Sequence, residues 1–253
     1  MTIPIVRGLI DRRVLVNYRI DPDVLSGLLP PPFRPQLVAG FAVGGICAIR
    51  LAHVRPRFLP SWAGLSSENA AHRFAVEWDL PDGNVASGVY IPRRHSNSWL
   101  NTLAGGRLFP GAHRHARFKV DDRGDACRIE IDGDDGEMRV RLDAKRASTL
   151  PPGSVFQSLE EVSDFFKKGS LGYSDSRRIG EFEGLELQSF NWSMTPLDVE
   201  LIESSFFDDP RRFPPGTVQF DSALLMRRIE HEWRARPAIT DGQLGVAPLP
   251  TCH

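Results

Sequence analysis

Apolar and polar residues alternate from residue 14 to 20, with Val14, Val16, Tyr18 and Ile20 set against Leu15, Asn17 and Arg19, which is strand periodicity. The period then changes. Asp21-Pro22 supplies a helix N-cap and a first-turn proline, Val24, Leu25, Leu28 and Leu29 form one helical face, and Pro30 to Pro32 stop it. Residues 41–54 predict a strand whose glycines permit a bend or a close backbone approach. After a Pro- and Arg-rich loop (55–65), ENAAHRFAVEWDL, the turn Pro81–Asn84 and VASGVYI predict a hairpin.

Ser96 is placed to cap a short helix carrying Trp99, Leu100 and Leu103, ended by Gly105-Gly106. Three strands follow, around 112–120, 126–131 and 137–144, separated by DDRG and DGDDG turns. Ser158 and Glu161 predict a capping box for SLEEVSDFFKK, which Gly169 terminates, and closing strands are expected near 185–192, 199–206 and 220–227. The expectation is one domain spanning 1–253, mainly β (α+β), antiparallel, with three short helices.

Composition narrows the function classes. With 41% hydrophobic and 25% charged residues in 253, a large core can form. A net charge of −1 lacks the footprint of a nucleic-acid binder, and no stretch is long and apolar enough to span a membrane. Three cysteines without a CxxC pair, and an N-terminus without an apolar run, point to a reducing, cytoplasmic setting. No GxGxxG, P-loop, HExxH or GxSxG pattern implies a cofactor or a serine nucleophile. Lysine occurs only at 119, 145, 167 and 168, so amine chemistry has few candidates.

Candidate chemistry centres on two strands. In a strand from 112 to 120, His113, His115, Arg117 and Lys119 share one face, which is either solvated or turned to an interior. An inward His113 is suited to proton transfer near neutral pH. His113 and His115 could also hold a metal, completed by His72 or Glu68. On the other strand Glu68, His72 and Phe74 share a face while Asn69 and Arg73 share the opposite one, and Arg73 either pairs with Glu77 or meets a ligand. Arg93-Arg94-His95, before the Ser96 cap, reads as a solvated basic turn or an anion cradle.

Three stretches carry a resemblance. YRIDPDVLSGLLPPPF, SSEN at 66–69 and GGRLFPGAHRHA at 105–116 resemble, in that order, the opening strand and helix, the pocket-glutamate segment and the Gly-Arg…Pro-Lys-Lys segment of the acetoacetate decarboxylase superfamily. ESSFFDD and FDSALLM fall where that family has its closing strands, and its YqjF-like branch of uncharacterised bacterial proteins is the most similar. The resemblance implies a closed, cone-like antiparallel barrel with short flanking helices. It also implies a pocket containing Glu68, an arginine at Arg12 or Arg13, and Arg107. In that family a lysine amine forms an imine with a ketone, activated by a neighbouring cation. Here Pro110 is followed by Gly111 and Ala112, so the barrel and the glutamate carry over and the nucleophile does not.

The expected function is a pocket for a small carbonyl- or carboxylate-bearing ligand. Glu68, His113 and His115 would be the catalytic groups, and Arg12, Asn69, His72, Arg73 and Arg107 the ligand-binding ones. Lyase or enolisation chemistry without an imine is one reading. A non-catalytic small-molecule binder is the second, and a metal-dependent enzyme using the His-x-His pair the third. No cofactor is expected, and assembly into a homo-oligomer is left open.

Overall fold

A computed structural model describes residues 5–99 and 110–240. Strand β1 (Val6–Ile20) leads into helix α1 (Pro22–Ser26), the short strands β2 (Arg34–Pro35) and β3 (Leu37–Val38), and the long β4 (Phe41–Pro56). The hairpin of β5 (Leu65–Asp79) and β6 (Val85–Ser96) follows, then the meander β7 (His113–Asp121), β8 (Ala126–Gly133) and β9 (Arg139–Arg146). Helix α2 (Leu159–Lys168) precedes β10 (Leu171–Asp175), β11 (Glu181–Ser189), β12 (Thr195–Ser204) and β13 (Val218–Thr240).

Local chemistry accounts for α1 and α2. Asp21 Oδ1 accepts from the Asp23 and Val24 amides at 2.9 and 3.3 Å, and Pro22 has no amide to leave unsatisfied. Ser158 Oγ accepts from the Glu161 amide at 3.1 Å, while Glu161 Oε2 reaches back to the Gln157 amide at 2.6 Å. Acidic residues in the first turn of α2 and Lys167 and Lys168 in its last turn suit the helix dipole.

The strand pairings close on themselves twice. One ring runs β13, β1, β4, β5, β6, β10, β11 and returns to β13. The other leaves β6 through β7, β8, β9 and β12 and also returns to β13. Both rings therefore share β13-β1-β4-β5-β6 as a common wall. Because side chains alternate across a strand, each shared strand feeds two interiors. Val14, Val16 and Tyr18 enter the core beneath β7–β9 with Phe206 and Phe207, whereas Leu15 and Cys47 enter the other with Phe166 of α2. This is the closed, cone-like β architecture expected.

Gly45 shows how tightly the shared wall is built: a Cβ there would lie 2.2 Å from the Val16 carbonyl oxygen. Strand β10 and the second half of β13 were not anticipated. The first is five residues, and residues 228–240 carry five charged side chains yet run on as the partner of β11. The helix expected after Ser96 lies mostly outside the described residues. Among the described residues no helix is long and apolar enough to cross a membrane.

Candidate functional site

A cavity of about 390 Å³ occupies the ring closed by β10 and β11. Its apolar wall includes Ile49, Leu51, Ile91, Leu185, Leu187 and Trp233. Its polar lining is one-sided: Arg13, Arg55, Arg73, Arg94, His95 and His113 face it or border it, and among the described residues no Asp or Glu does.

Two irregularities aim these cations. In β1 the pairing with β4 slips between Ile10 and Arg12, leaving Asp11 unmatched. After this bulge Arg12 joins the Val14 face and Arg13 the cavity face. In β6 the pairing with β5 slips between His72 and Phe74, opposite Ile91 and Pro92. Pro92 has no amide for the ladder and is tolerated in such a bulge. The extra residue inverts the alternation, so Val89 and Ile91 line the cavity and Arg94, not Arg93, continues the row. Arg93 points to the other core, over the Phe206 ring and toward Glu137.

The guanidinium groups at the cavity have neutral partners. Arg13 Nε donates to Cys47 Sγ at 3.4 Å, Arg73 Nη2 to Asn17 Oδ1 at 2.6 Å, and Arg94 Nε to Ser174 Oγ at 3.1 Å. Arg73 is 3% exposed, lies over the Phe166 ring at 4.4 Å, and its Nε and Nη1 have no partner among the described residues. Burial pulls the pKa of Arg73, and likewise of Arg94, down to about 10, against the smaller opposing attraction of Cys47. Both remain cationic at neutral pH.

His113 stands at the start of β7 on the cavity. Burial first, and the Arg94 charge second, lower its pKa to about 4, so the ring is neutral. Its Nδ1 lies 3.2 Å from the Gly111 carbonyl, which can only accept. The proton therefore sits on Nδ1, leaving Nε2 as the acceptor.

Of the residues singled out from sequence, Asn69, Arg73 and His113 are brought together at the cavity, and Arg13 rather than Arg12 is the N-terminal arginine there. Four others lie away from this cavity. Glu68 is on the opposite face of β5, where its Oε2 accepts from Arg12 Nη2 at 2.6 Å and its Oε1 lies 3.4 Å from Arg50 Nη1. Arg12 is buried between Glu68 and Asp122. His72 packs tilted against Phe206 in the other core, its pKa lowered mainly by burial. His115 turns outward, its Nδ1 2.7 Å from Asp134 and its ring 4.1 Å from that of Trp99.

Arg107 lies outside the described residues. Glu77, the alternative partner for Arg73, is taken by Arg34. Among the described residues no group of three His, Cys, Asp or Glu side chains gathers as a metal site would require, so the His-x-His pair is not completed by His72 or Glu68. None of the four lysines lines the cavity; Lys119 projects outward toward Glu130. Sequence reasoning passed over Cys47 and left Arg94 open between a solvated turn and an anion cradle. A proline within a strand was the available signal for the latter.

A profile of the DUF2071 family, described as an uncharacterized conserved protein, matches residues 10–211. No curated protein matches the chain. Among solved structures, the acetoacetate decarboxylase of Legionella pneumophila superposes with a TM-score of 0.61 at 10% identity, over 92% of this chain and 87% of that one. An acetoacetate decarboxylase-like enzyme from Sphingomonas wittichii RW1 gives 0.56 at 11% identity, over 95% and 93%. The enduracididine biosynthesis enzyme MppR, complexed with pyruvate, gives 0.57 at 10% identity, over 97% and 93%. At these identities the likeness is one of fold.

Proposed function

The chain belongs to the DUF2071 family of uncharacterized conserved proteins, and from that premise we propose that it binds a small organic acid in the Arg13–Arg73–Arg94 cavity and exchanges a proton with it through His113. The observation that carries this reading is the lining itself: the buried Arg73 and the half-buried Arg13 and Arg94 have neutral partners, and among the described residues no carboxylate lines the cavity with them. Desolvated cations are costly unless paired, and a ligand carboxylate supplies the missing charge with geometry suited to a guanidinium. The apolar remainder of the wall accepts a short carbon chain. That MppR, of like fold, is described with pyruvate bound supports an oxo acid as the first ligand to try.

His113 Nε2 would take a proton from the carbon beside the carbonyl, while the arginines steady the enolate oxygen. No imine is invoked, since no lysine reaches the cavity. A non-catalytic binder is the second reading, favoured by the loss of Glu68 to the Arg12 pair, which leaves no carboxylate as a second proton-handling group among the described lining residues.

Proton NMR in D2O with pyruvate and 2-oxobutyrate tests both. Exchange at C3 above the buffer rate, abolished in His113→Gln while the ligand still raises the melting temperature, supports catalysis. A thermal shift without exchange selects the binder. Neither shift nor exchange with any small carboxylate discards the reading.

A further inference from the structure

We propose that Cys47 is a covalent acceptor for small electrophilic carboxylates, such as 2-enoic and 2-halo acids, drawn into this cavity; the proposal rests on the carboxylate-binding reading above. Cys47 sits on the cavity face of β4, matched with Leu15 of β1 and Ala71 of β5. It is a free thiol, and its sulfur receives the Arg13 Nε donor at 3.4 Å. Arg73, buried and with two nitrogens that have no partner among the described residues, lines the same space, as does Arg94. Cys127, by contrast, is 1% exposed in the other core and borders no part of the cavity.

The arrangement separates two tasks. Guanidinium groups hold the carboxylate end of a ligand only a few atoms long, and the sulfur is the nucleophile within its reach. Such placement raises the effective concentration of the reacting carbon, while the Arg13 donor steadies charge on sulfur during attack. With a 2-enoic acid, sulfur bonds to the β-carbon and the π pair moves to the α-carbon. The proton that leaves the thiol ends on that α-carbon, giving a thioether with no oxidant or reductant. With a 2-halo acid, the S–C bond replaces the carbon–halogen bond, halide departs with its pair, and the thiol proton passes to the buffer.

Paired alkylation of the native protein by iodoacetate and iodoacetamide, mapped by peptide mass spectrometry, tests this, with glutathione in the same buffer as reference. A cation-lined cavity concentrates the anion, so the iodoacetate-to-iodoacetamide rate ratio at Cys47 should exceed that of glutathione by at least about tenfold. Pyruvate should protect Cys47, and Arg13→Gln or Arg94→Gln should bring the ratio back toward that of glutathione. If those variants fail to fold, protection and the fall of the ratio at high salt in the unaltered protein decide. Acrylate should add once, at Cys47. If pyruvate raises the melting temperature but Cys47 stays unlabelled, the covalent role is wrong and the binding reading stands. If both reagents label Cys47 in the glutathione ratio and pyruvate neither protects nor stabilises, both readings fall.

Discussion

Replacing Arg73 by methionine should leave the unliganded protein about as stable as it is now while removing its response to carboxylates. The side chain is 3% exposed and its pKa is dragged to about 10 by burial. At about 1.4 kcal/mol for each tenfold change in proton affinity, keeping this group charged works against the fold by about 3 kcal/mol. Methionine removes that cost and fills similar volume. Against it stand the Asn17 Oδ1 acceptor left without its donor, about 1–2 kcal/mol, and the contact with Phe166, about 1 kcal/mol. The net change lies within about 1 kcal/mol of zero, or about 4 °C in melting temperature for a chain of this size.

Ligand at a hundredfold excess over Kd should stabilise the unaltered protein by about 2.7 kcal/mol, a rise of roughly 5–11 °C. Losing a buried charged partner weakens binding by about 2–5 kcal/mol, which in R73M should shrink that rise to about 3 °C or less. Differential scanning fluorimetry with and without pyruvate reads both numbers. An R73M protein destabilised by 3 kcal/mol or more (on the order of a broken buried pair) whose carboxylate response is intact would show Arg73 to be a structural cation and overturn this account of it.

Three further outcomes are expected from the geometry. Glu68→Gln should cost about 3 kcal/mol in urea unfolding, because it strips the buried Arg12 of its closest carboxylate, yet leave the carboxylate-induced thermal shift unchanged; a lost shift would put Glu68 back in the site. Stability should fall with acid: His95, His113 and His231 have pKa values near 4 when folded, whereas an unfolded imidazole protonates near 6.5. Between those values the unfolded chain binds more protons. The stability is thus fully present above pH 6.5 and is lost toward pH 4, by up to about 3 kcal/mol per ring, with His72 acting in the same direction. Equal urea midpoints at pH 7.5 and pH 5 would contradict this. Gly45→Ala should abolish soluble expression or lower the melting temperature sharply, since its methyl group would meet the Val16 carbonyl at 2.2 Å; a variant melting within a few degrees would mean the shared wall yields more easily than its packing implies.

Much of the architecture was legible in the sequence because it rests on local rules. Asp21-Pro22 and Ser158…Glu161 announce their helices, and Pro81–Asn84 its hairpin, through hydrogen bonds that span three or four residues. Strict alternation along β5 correctly kept Glu68 and His72 apart from Asn69 and Arg73. What alternation lacks is an origin: it says which residues share a face, not which of two interiors that face will meet. The choice came from ring closure through β10 and β11, between residues 42 to 83 positions apart. The resemblance favoured the Glu68 face, and the closed rings made the Asn69 face the cavity.

Periodicity also presumes an unbroken ladder. At Asp11 and at Pro92 the ladder gains a residue, and each gain reverses the parity of the residues beyond it. For that reason Arg13 rather than Arg12, and Arg94 rather than Arg93, reaches the cavity. Chain order alone was enough to specify a closed β fold stocked with arginine and short of amines. That several of those arginines converge on one thiol and one neutral imidazole was set by pairing between distant strands, because a side chain's direction depends on its partner strand and not on its neighbours in sequence.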